Sequence, residues 1–108
     1  MPHFNAYHAH IYFDATTKST AQNVIEQAGE AFELFIGRMH DKPIGPHPIG
    51  SCQLSFSAAL FAELVPWLAK HRQGLSVLIH PVTGDDLHDH DDYAMWLGIQ
   101  LPLDTSVF

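Results

Sequence analysis

Two histidines, His8 and His10, lie two residues apart near the start of the chain, in the stretch FNAYHAHIYF (residues 4–13). Successive side chains of a β-strand point to opposite faces, so both imidazoles would lie on one face of such a strand. The apolar residues that alternate with them would lie on the other face. Histidine is the commonest metal ligand and titrates near neutral pH, so this spacing suits metal binding or proton transfer.

Two further histidines stand where the local sequence favours a fixed position. His47 lies between two prolines in GPHP (residues 45–48). A proline fixes its own φ and keeps the preceding residue out of the α region, so His47 is predicted to project from a stiff, extended backbone. His80 lies at the end of the apolar run LSVLIHP (residues 75–81). A stiff backbone favours metal binding, because a loose ligand shell loses its geometry.

Four runs of residues have the composition of β-strands. They are apolar, aromatic or alternating in character, and turn-forming residues follow most of them, which is typical of strands. The predicted strands cover residues 5–13, 32–40, 49–56 and 75–81.

Two amphipathic helices are predicted between these strands, because apolar residues recur there at the spacing of one helix face. These positions are Ala21, Val24, Ile25 and Ala28 in the first helix and Leu60, Phe61, Leu64, Val65 and Leu68 in the second. Pro66 removes a backbone donor from the second helix, which predicts a kink or a break. After the fourth strand, VTGDDLHDHDDY is interpreted as a polar turn and YAMWLG as a last helical turn.

The order β-α-β-β-α-β is typical of the ferredoxin-like fold, an α+β sandwich with two helices on one face of an antiparallel sheet. In this fold the first and third strands form the central pair, and the fourth lies beside the first. The other face of the sheet needs cover, because Leu78 and Phe35 are too apolar for water. We expect a homodimer, in an assembly like a dimeric α+β barrel, to supply it. The length of 108 residues predicts a single domain over residues 1–108.

If each strand turns its apolar side to the helices, the four histidines share the opposite face of the sheet. His8, His10, His47 and His80 then converge from three elements. Several neutral imidazoles suit iron, zinc, copper or nickel. Non-haem iron sites often add a carboxylate, for which the candidates are Glu33, Asp85 and Asp86, and an all-histidine site stays open.

The remaining histidines are interpreted as ordinary surface or core residues. His3, His40 and His71 belong to this group. His88 and His90 lie in the acidic segment HDHDD, which is typical of a solvated surface. An alternative role for His88 is that of a lid residue or an alternate metal ligand.

Composition and net charge indicate which kinds of binding partner are unsuitable for this chain. Apolar residues make up 46% of the chain and charged residues 16%, which is ordinary for a globular protein. The net charge of -7 and the absence of a basic run argue against nucleic acid and anionic membranes. The single Cys52 excludes an internal disulfide, and the first residues do not match a signal or transit peptide. A cytoplasmic location is therefore expected.

Four sequence pieces, taken together and in order, resemble the DOPA 4,5-dioxygenase family. They are HAHIYF, GPHP, VPWLAKHRQGLSVLIHP with the following TGD, and YAMWLG, within residues 4–98. The resemblance implies a ferredoxin-like fold, a homodimer, and Fe(II)-dependent extradiol cleavage of a catechol such as DOPA by dioxygen. It also implies that the family's histidines correspond to His8, His10, His47 and His80.

Within this interpretation His10, His47 and His80 are predicted to bind the metal, with zinc or nickel as replacements for iron in the purified protein. His8 is predicted to be the acid-base residue. Two other functions remain open. One is a non-catalytic module that binds a metal or a small molecule. The other is a cofactor-free or haem-dependent enzyme of the dimeric α+β barrel type.

Overall fold

The computed structural model describes residues 3–108, which form a five-stranded sheet and three helices. The strands are β1 (Ala6–Phe13), β2 (Phe35–His40), β3 (Gly50–Ser57), β4 (Val77–Pro81) and β5 (Met95–Leu97). The helices are α1 (Lys18–Ala31), α2 (Phe61–His71) and α3 (Asp86–His90). Among the described residues, no helix is both long and apolar enough to cross a membrane.

The sheet has the strand order β2-β3-β1-β4-β5, and every neighbouring pair is antiparallel. This confirms the predicted ferredoxin-like α+β fold, with β1 and β3 at the centre and β4 beside β1. Residues 95–97 were expected in a helical turn, and this prediction is wrong. They form β5, because Trp96 pairs with Leu78 at the free edge of β4.

One face of the sheet packs against α1 and α2 and forms the core. Ile11, Leu54 and Ile79 are fully buried on this face, as the alternation of the strands predicts. The helix α2 continues through Pro66 without a break. Pro66 and Ala62 are both exposed, so water can bond the Ala62 carbonyl that the proline leaves without a helical donor.

The opposite face, which we call the open face, is covered by later residues of the same chain. Leu78 is 0% exposed, and the ring of Tyr12 stacks on Trp96 with 5.8 Å between centroids. The amide of Asp104 donates to the carbonyl of Pro46 at 2.9 Å, which joins the tail to the loop before β3. The cover at Leu78 therefore does not require a second copy, contrary to expectation.

The edge strand β2 keeps an exposed apolar side chain on the open face. Phe35 is 74% exposed. Edge strands with exposed apolar side chains are common association surfaces. The homodimer therefore stays a prediction, with β2 as its most suitable contact.

Candidate functional site

Five imidazoles meet on the open face, and we call them the histidine cluster. β1, β4, α3 and the loop between β2 and β3 contribute His8, His10, His47, His80 and His90. The register of β1 and β4 sets its centre, because His8 lies directly opposite His80 and His10 opposite Leu78. His10 is then one same-face position along from His8 and diagonal to His80.

Three members of the cluster have the spacing of a metal site. Nε2 of His10 lies 3.0 Å from Nε2 of His80, and His8 offers a third nitrogen, with all three within 4.8 Å of one another. Two nitrogens that bind one ion at about 2.1 Å and at right angles to each other are about 3 Å apart. The pair His10 and His80 therefore already has the separation of two adjacent ligands.

Hydrogen bonding fixes the tautomer of His80. Its Nδ1 donates to the carbonyl of Pro81 at 2.7 Å. In the neutral ring the other nitrogen, Nε2, then carries a lone pair, and this is the atom that faces His10. Metal-binding histidines usually have such an outer hydrogen bond, which orients the ring and raises its basicity. His80 thus has the arrangement of a metal ligand.

Burial keeps these rings neutral. It is the main reason that the pKa of His80 is lowered to about 4 and that of His10 well below its usual value, to which neighbouring imidazoles add. The pKa of His8 is also lowered, by burial first and by His90 second. At neutral pH the three rings therefore have lone pairs available, which divalent metal binding requires.

His47 is held differently. Its ring centroid lies 4.2 Å from that of His10, and its Nδ1 lies 2.7 Å from the hydroxyl of Tyr12. Tyr12 is 1% exposed, and burial raises the pKa of its hydroxyl, so the phenol keeps its proton. The hydroxyl has no other hydrogen-bond partner among the described residues. It must donate to Nδ1, because otherwise its proton would be buried without an acceptor.

The family is settled by comparison with known proteins. The sequence model of the Dopa 4,5-dioxygenase family matches residues 7–107. The chain belongs to this family. The resemblance seen in the sequence is therefore confirmed, and the matched residues include the whole histidine cluster.

Relatives and a solved structure agree with the family assignment. The DOPA 4,5-dioxygenase of Amanita muscaria is 32% identical over 93% of this chain, and an uncharacterized 21.2 kDa protein of Botryotinia fuckeliana is 37% identical over 94% of it. The chain spans 48% and 62% of the lengths of these two relatives, respectively. A crystal structure from Nostoc punctiforme, described as that of a candidate dioxygenase, is 46% identical, with a TM-score of 0.95 over 96% of this chain and 90% of that one.

In this member of the Dopa 4,5-dioxygenase family, α3 contributes His90 to the cluster, although the sequence analysis interpreted His90 as a surface residue. The ring of His90 lies 4.1 Å from that of His80, centroid to centroid, and its Nδ1 donates to the carbonyl of Asp86 at 2.7 Å. Residues two apart on a helix point in nearly opposite directions, so His88 and His90 cannot both face the sheet. Nothing in the sequence shows which of them does.

His88 points away from the histidine cluster. Its Nδ1 lies 2.6 Å from the carboxylate of Asp85, and its exposed ring also faces Asp92 at 3.4 Å. The hydrogen bond to Asp85 is the main reason that the pKa of His88 is raised. In this conformation His88 belongs to the surface of α3, so a role as lid residue or alternate ligand would require α3 to turn.

No carboxylate joins the three-nitrogen group within residues 3–108. Asp85 is exposed and paired with His88, and Asp86 is also exposed. Glu33 lines a cavity that reaches His8, but it is exposed and does not belong to the group. The structure therefore favours an all-histidine donor set for this family member.

A buried carboxylate, Asp89, fastens α3 over the site. It is 1% exposed and accepts from the amide of Thr83 at 2.9 Å and from the hydroxyl of Thr83 at 2.6 Å. Both contacts cross from α3 to the segment that follows β4. Asp89 therefore holds the neighbouring His90 against His80.

We expect Asp89→Asn to loosen this attachment. The neutral amide would replace two hydrogen bonds to a carboxylate by weaker neutral ones, at a cost of roughly 1–3 kcal/mol in unfolding free energy. Urea denaturation of the metal-free wild type and variant measures this difference in unfolding free energy. The control is Asp91→Asn, which changes an exposed carboxylate and should have little effect. Equal stability of both variants and the wild type would contradict the role given to Asp89.

Proposed function

We propose that the chain is an extradiol ring-cleaving dioxygenase that acts on a catechol such as DOPA, with a histidine-bound non-haem iron(II) ion and dioxygen. The observation that supports this most directly is the three-nitrogen group of His8, His10 and His80, in a member of a dioxygenase family. Neutral imidazoles suit iron(II), and zinc or nickel would fit the same donors.

In this proposal the ligands are His8, His10 and His80, which exchanges the roles that the sequence analysis gave to His8 and His47. The reason is the hydrogen bond from Tyr12 to Nδ1 of His47. A neutral imidazole that accepts at Nδ1 carries its proton on Nε2. Nε2 of His47 then has no free lone pair for a metal ion, but it has a proton to give.

The side chains around the ligands are proposed to donate a proton and to orient the proton donor. Bound iron(II) would bring the catechol and dioxygen together and lower the pKa of the catechol oxygens. His47 offers the Nε2 proton to a reacting oxygen, and general acid catalysis of this kind is worth roughly 10²–10⁴-fold. Tyr12 orients the His47 ring through its hydrogen bond, and Trp96 packs on Tyr12, so both contacts oppose rotation of the proton donor.

The test is dioxygen uptake by the protein after anaerobic loading with iron(II), across a panel of catechols. We expect uptake with at least one catechol and a ring-opened product that contains both oxygen atoms, seen by mass spectrometry. The zinc-loaded protein is the matched control and should consume no dioxygen, because zinc has no redox chemistry.

Other outcomes separate the alternatives. Full activity after removal of non-haem metal would contradict the proposal and favour a cofactor-free or haem enzyme. Tight metal binding without dioxygen uptake for any catechol would contradict it as well, and would favour a non-catalytic binding module.

A further inference from the structure

A cavity of about 280 Å³ opens beside the histidine cluster, between β2, β3 and the loop that joins them. Drug-sized ligands need cavities of roughly 300–1,000 Å³, so this one suits a compound with a single ring. Its walls include His10 and His47 of the cluster, together with Arg38 and Ile44. A ligand in this cavity would contact both the histidine cluster and Arg38.

The strand β2 is irregular where it borders the cavity. Ile36 pairs with Leu54 and Met39 pairs with Cys52, so two residues of β2 lie opposite one residue of β3. This is a β-bulge, a feature that is common next to functional sites because it redirects a side chain. Both flanking pairs lie on the helix-covered face, so the two bulge residues, Gly37 and Arg38, belong to the open face.

The bulge decides where Arg38 points. Regular alternation would place Arg38 on the same face as Ile36, against the helices. With the bulge, Arg38 lines the cavity beside the histidine cluster. Gly37 makes the bulge compact, since a Cβ atom there would lie 3.0 Å from the carbonyl oxygen of Gln53.

Arg38 also lacks an acidic partner. The chain has 12 acidic residues and only five lysines and arginines, yet Arg38 forms no ion pair in the part of the chain that the structure describes. Lys18 alone among the five is ion-paired in the described residues, with Asp41 at 2.8 Å, so what distinguishes Arg38 is its position beside the cluster. A larger cavity of about 530 Å³ reaches His8, but no lysine or arginine lines it. Arg38 also borders a neighbouring cavity of about 370 Å³, but that cavity does not reach His10 or His47. The smaller cavity therefore brings Arg38 and the histidine cluster to one space.

We propose that Arg38 binds a carboxylate on the substrate, so that the preferred substrates are catechols with an anionic side chain. This inference rests on the proposed function and adds the substrate class. A guanidinium binds a carboxylate through two parallel hydrogen bonds, which fixes orientation as well as position. Arg38 would hold the side chain while the ring reaches the cluster at His10 and His47.

The experiment compares two catechols of similar size, dihydrocaffeate with a carboxylate and 4-ethylcatechol without one. Their binding to the iron-loaded protein is measured by anaerobic calorimetry, so that no turnover is needed. The wild type should bind dihydrocaffeate roughly ten- to a hundredfold more tightly, the range for a hydrogen bond to a charged group. Dioxygen uptake is then measured with the same two compounds.

Three variants test the residue. Arg38→Gln should remove the preference and leave 4-ethylcatechol binding unchanged, and Arg38→Lys should retain part of it, because lysine supplies charge without the paired hydrogen bonds. Lys70→Gln removes an exposed charge from the far side of the sheet and should behave as the wild type.

The outcomes separate this inference from the proposed function. A preference for dihydrocaffeate that survives in Arg38→Gln, or no preference in the wild type, would overturn the role of Arg38 even if catechols are cleaved. A preference that depends on Arg38, without turnover of any catechol, would support the carboxylate site and overturn the dioxygenase proposal. Failure of both compounds to bind the wild type would overturn both.

Discussion

Replacing His10 by alanine is expected to abolish stable metal binding and, with it, all dioxygenase activity. Its Nε2 lies 3.0 Å from Nε2 of His80, at the centre of the three-nitrogen group. Loss of an outer hydrogen-bond partner of a ligand typically costs about 10–100-fold in metal affinity, so loss of the ligand itself should cost more. Metal analysis after anaerobic loading and dialysis should show about one ion per chain in the wild type and almost none in the variant.

A folding defect must be separated from the loss of a ligand. His10 is 4% exposed, so His10→Ala also leaves a cavity, and His10→Gln provides a variant that fills more of it. Iron(II) should raise the unfolding temperature of the wild type but of neither variant, because only a protein that binds the ion is stabilised by it. His71→Ala is the matched control, since that ring bonds the Trp67 carbonyl on α2. Undiminished iron content in both His10 variants would disprove the proposed site.

Replacing His47 by alanine is expected to leave iron in place and to lower turnover roughly 10²–10⁴-fold, the range for a missing general acid. His8→Ala should do the opposite and lose the ion first. The physical reason is the tautomer that Tyr12 imposes on His47, which places a proton on Nε2. Iron content and turnover, measured on both variants, decide between the two assignments.

The variant Tyr12→Phe tests separately whether the Tyr12 hydroxyl sets the tautomer of His47. It retains the aromatic ring against Trp96 and removes only the hydroxyl. We expect iron binding to persist, turnover to fall, and the ¹⁵N resonances of His47 in the zinc-loaded protein to change from the Nε2–H tautomer to a mixture. Tyr93→Phe, at an exposed position, is the control. Loss of iron from His47→Ala, with retention in His8→Ala, would restore the assignment made from the sequence.

Strand alternation was sufficient to predict the open face. Because side chains on a strand alternate strictly, one buried residue such as Ile11 or Ile79 fixes the side on which His10 and His80 lie. The order of the elements, which is typical of the ferredoxin-like fold, then predicted that β4 lies beside β1. Distances within the cluster could not be predicted, because they depend on register and ring rotation, which the sequence pattern does not encode.

The cover of the open face could not be predicted from local signals. β5 has three residues and α3 has five, too short for either periodicity to emerge. Their positions depend on long-range contacts, such as Trp96 on Tyr12 and Asp89 on Thr83. The β-bulge at Gly37 and Arg38 could not be predicted either. A one-residue shift in the pairing of two strands does not change the residue types from which strands are predicted.

His10 and His80 are separated by 70 residues along the chain. All the residues between these two donors must therefore have left the ribosome before the donors can meet, so an emerging chain has no place for the ion until β4 has docked. Closing a loop of this size costs entropy that grows only with the logarithm of its length, and the ion would offset part of it by tying the two strands together. Metal supply would therefore influence how long β4 stays docked on β1 once it has arrived, and not how quickly it docks.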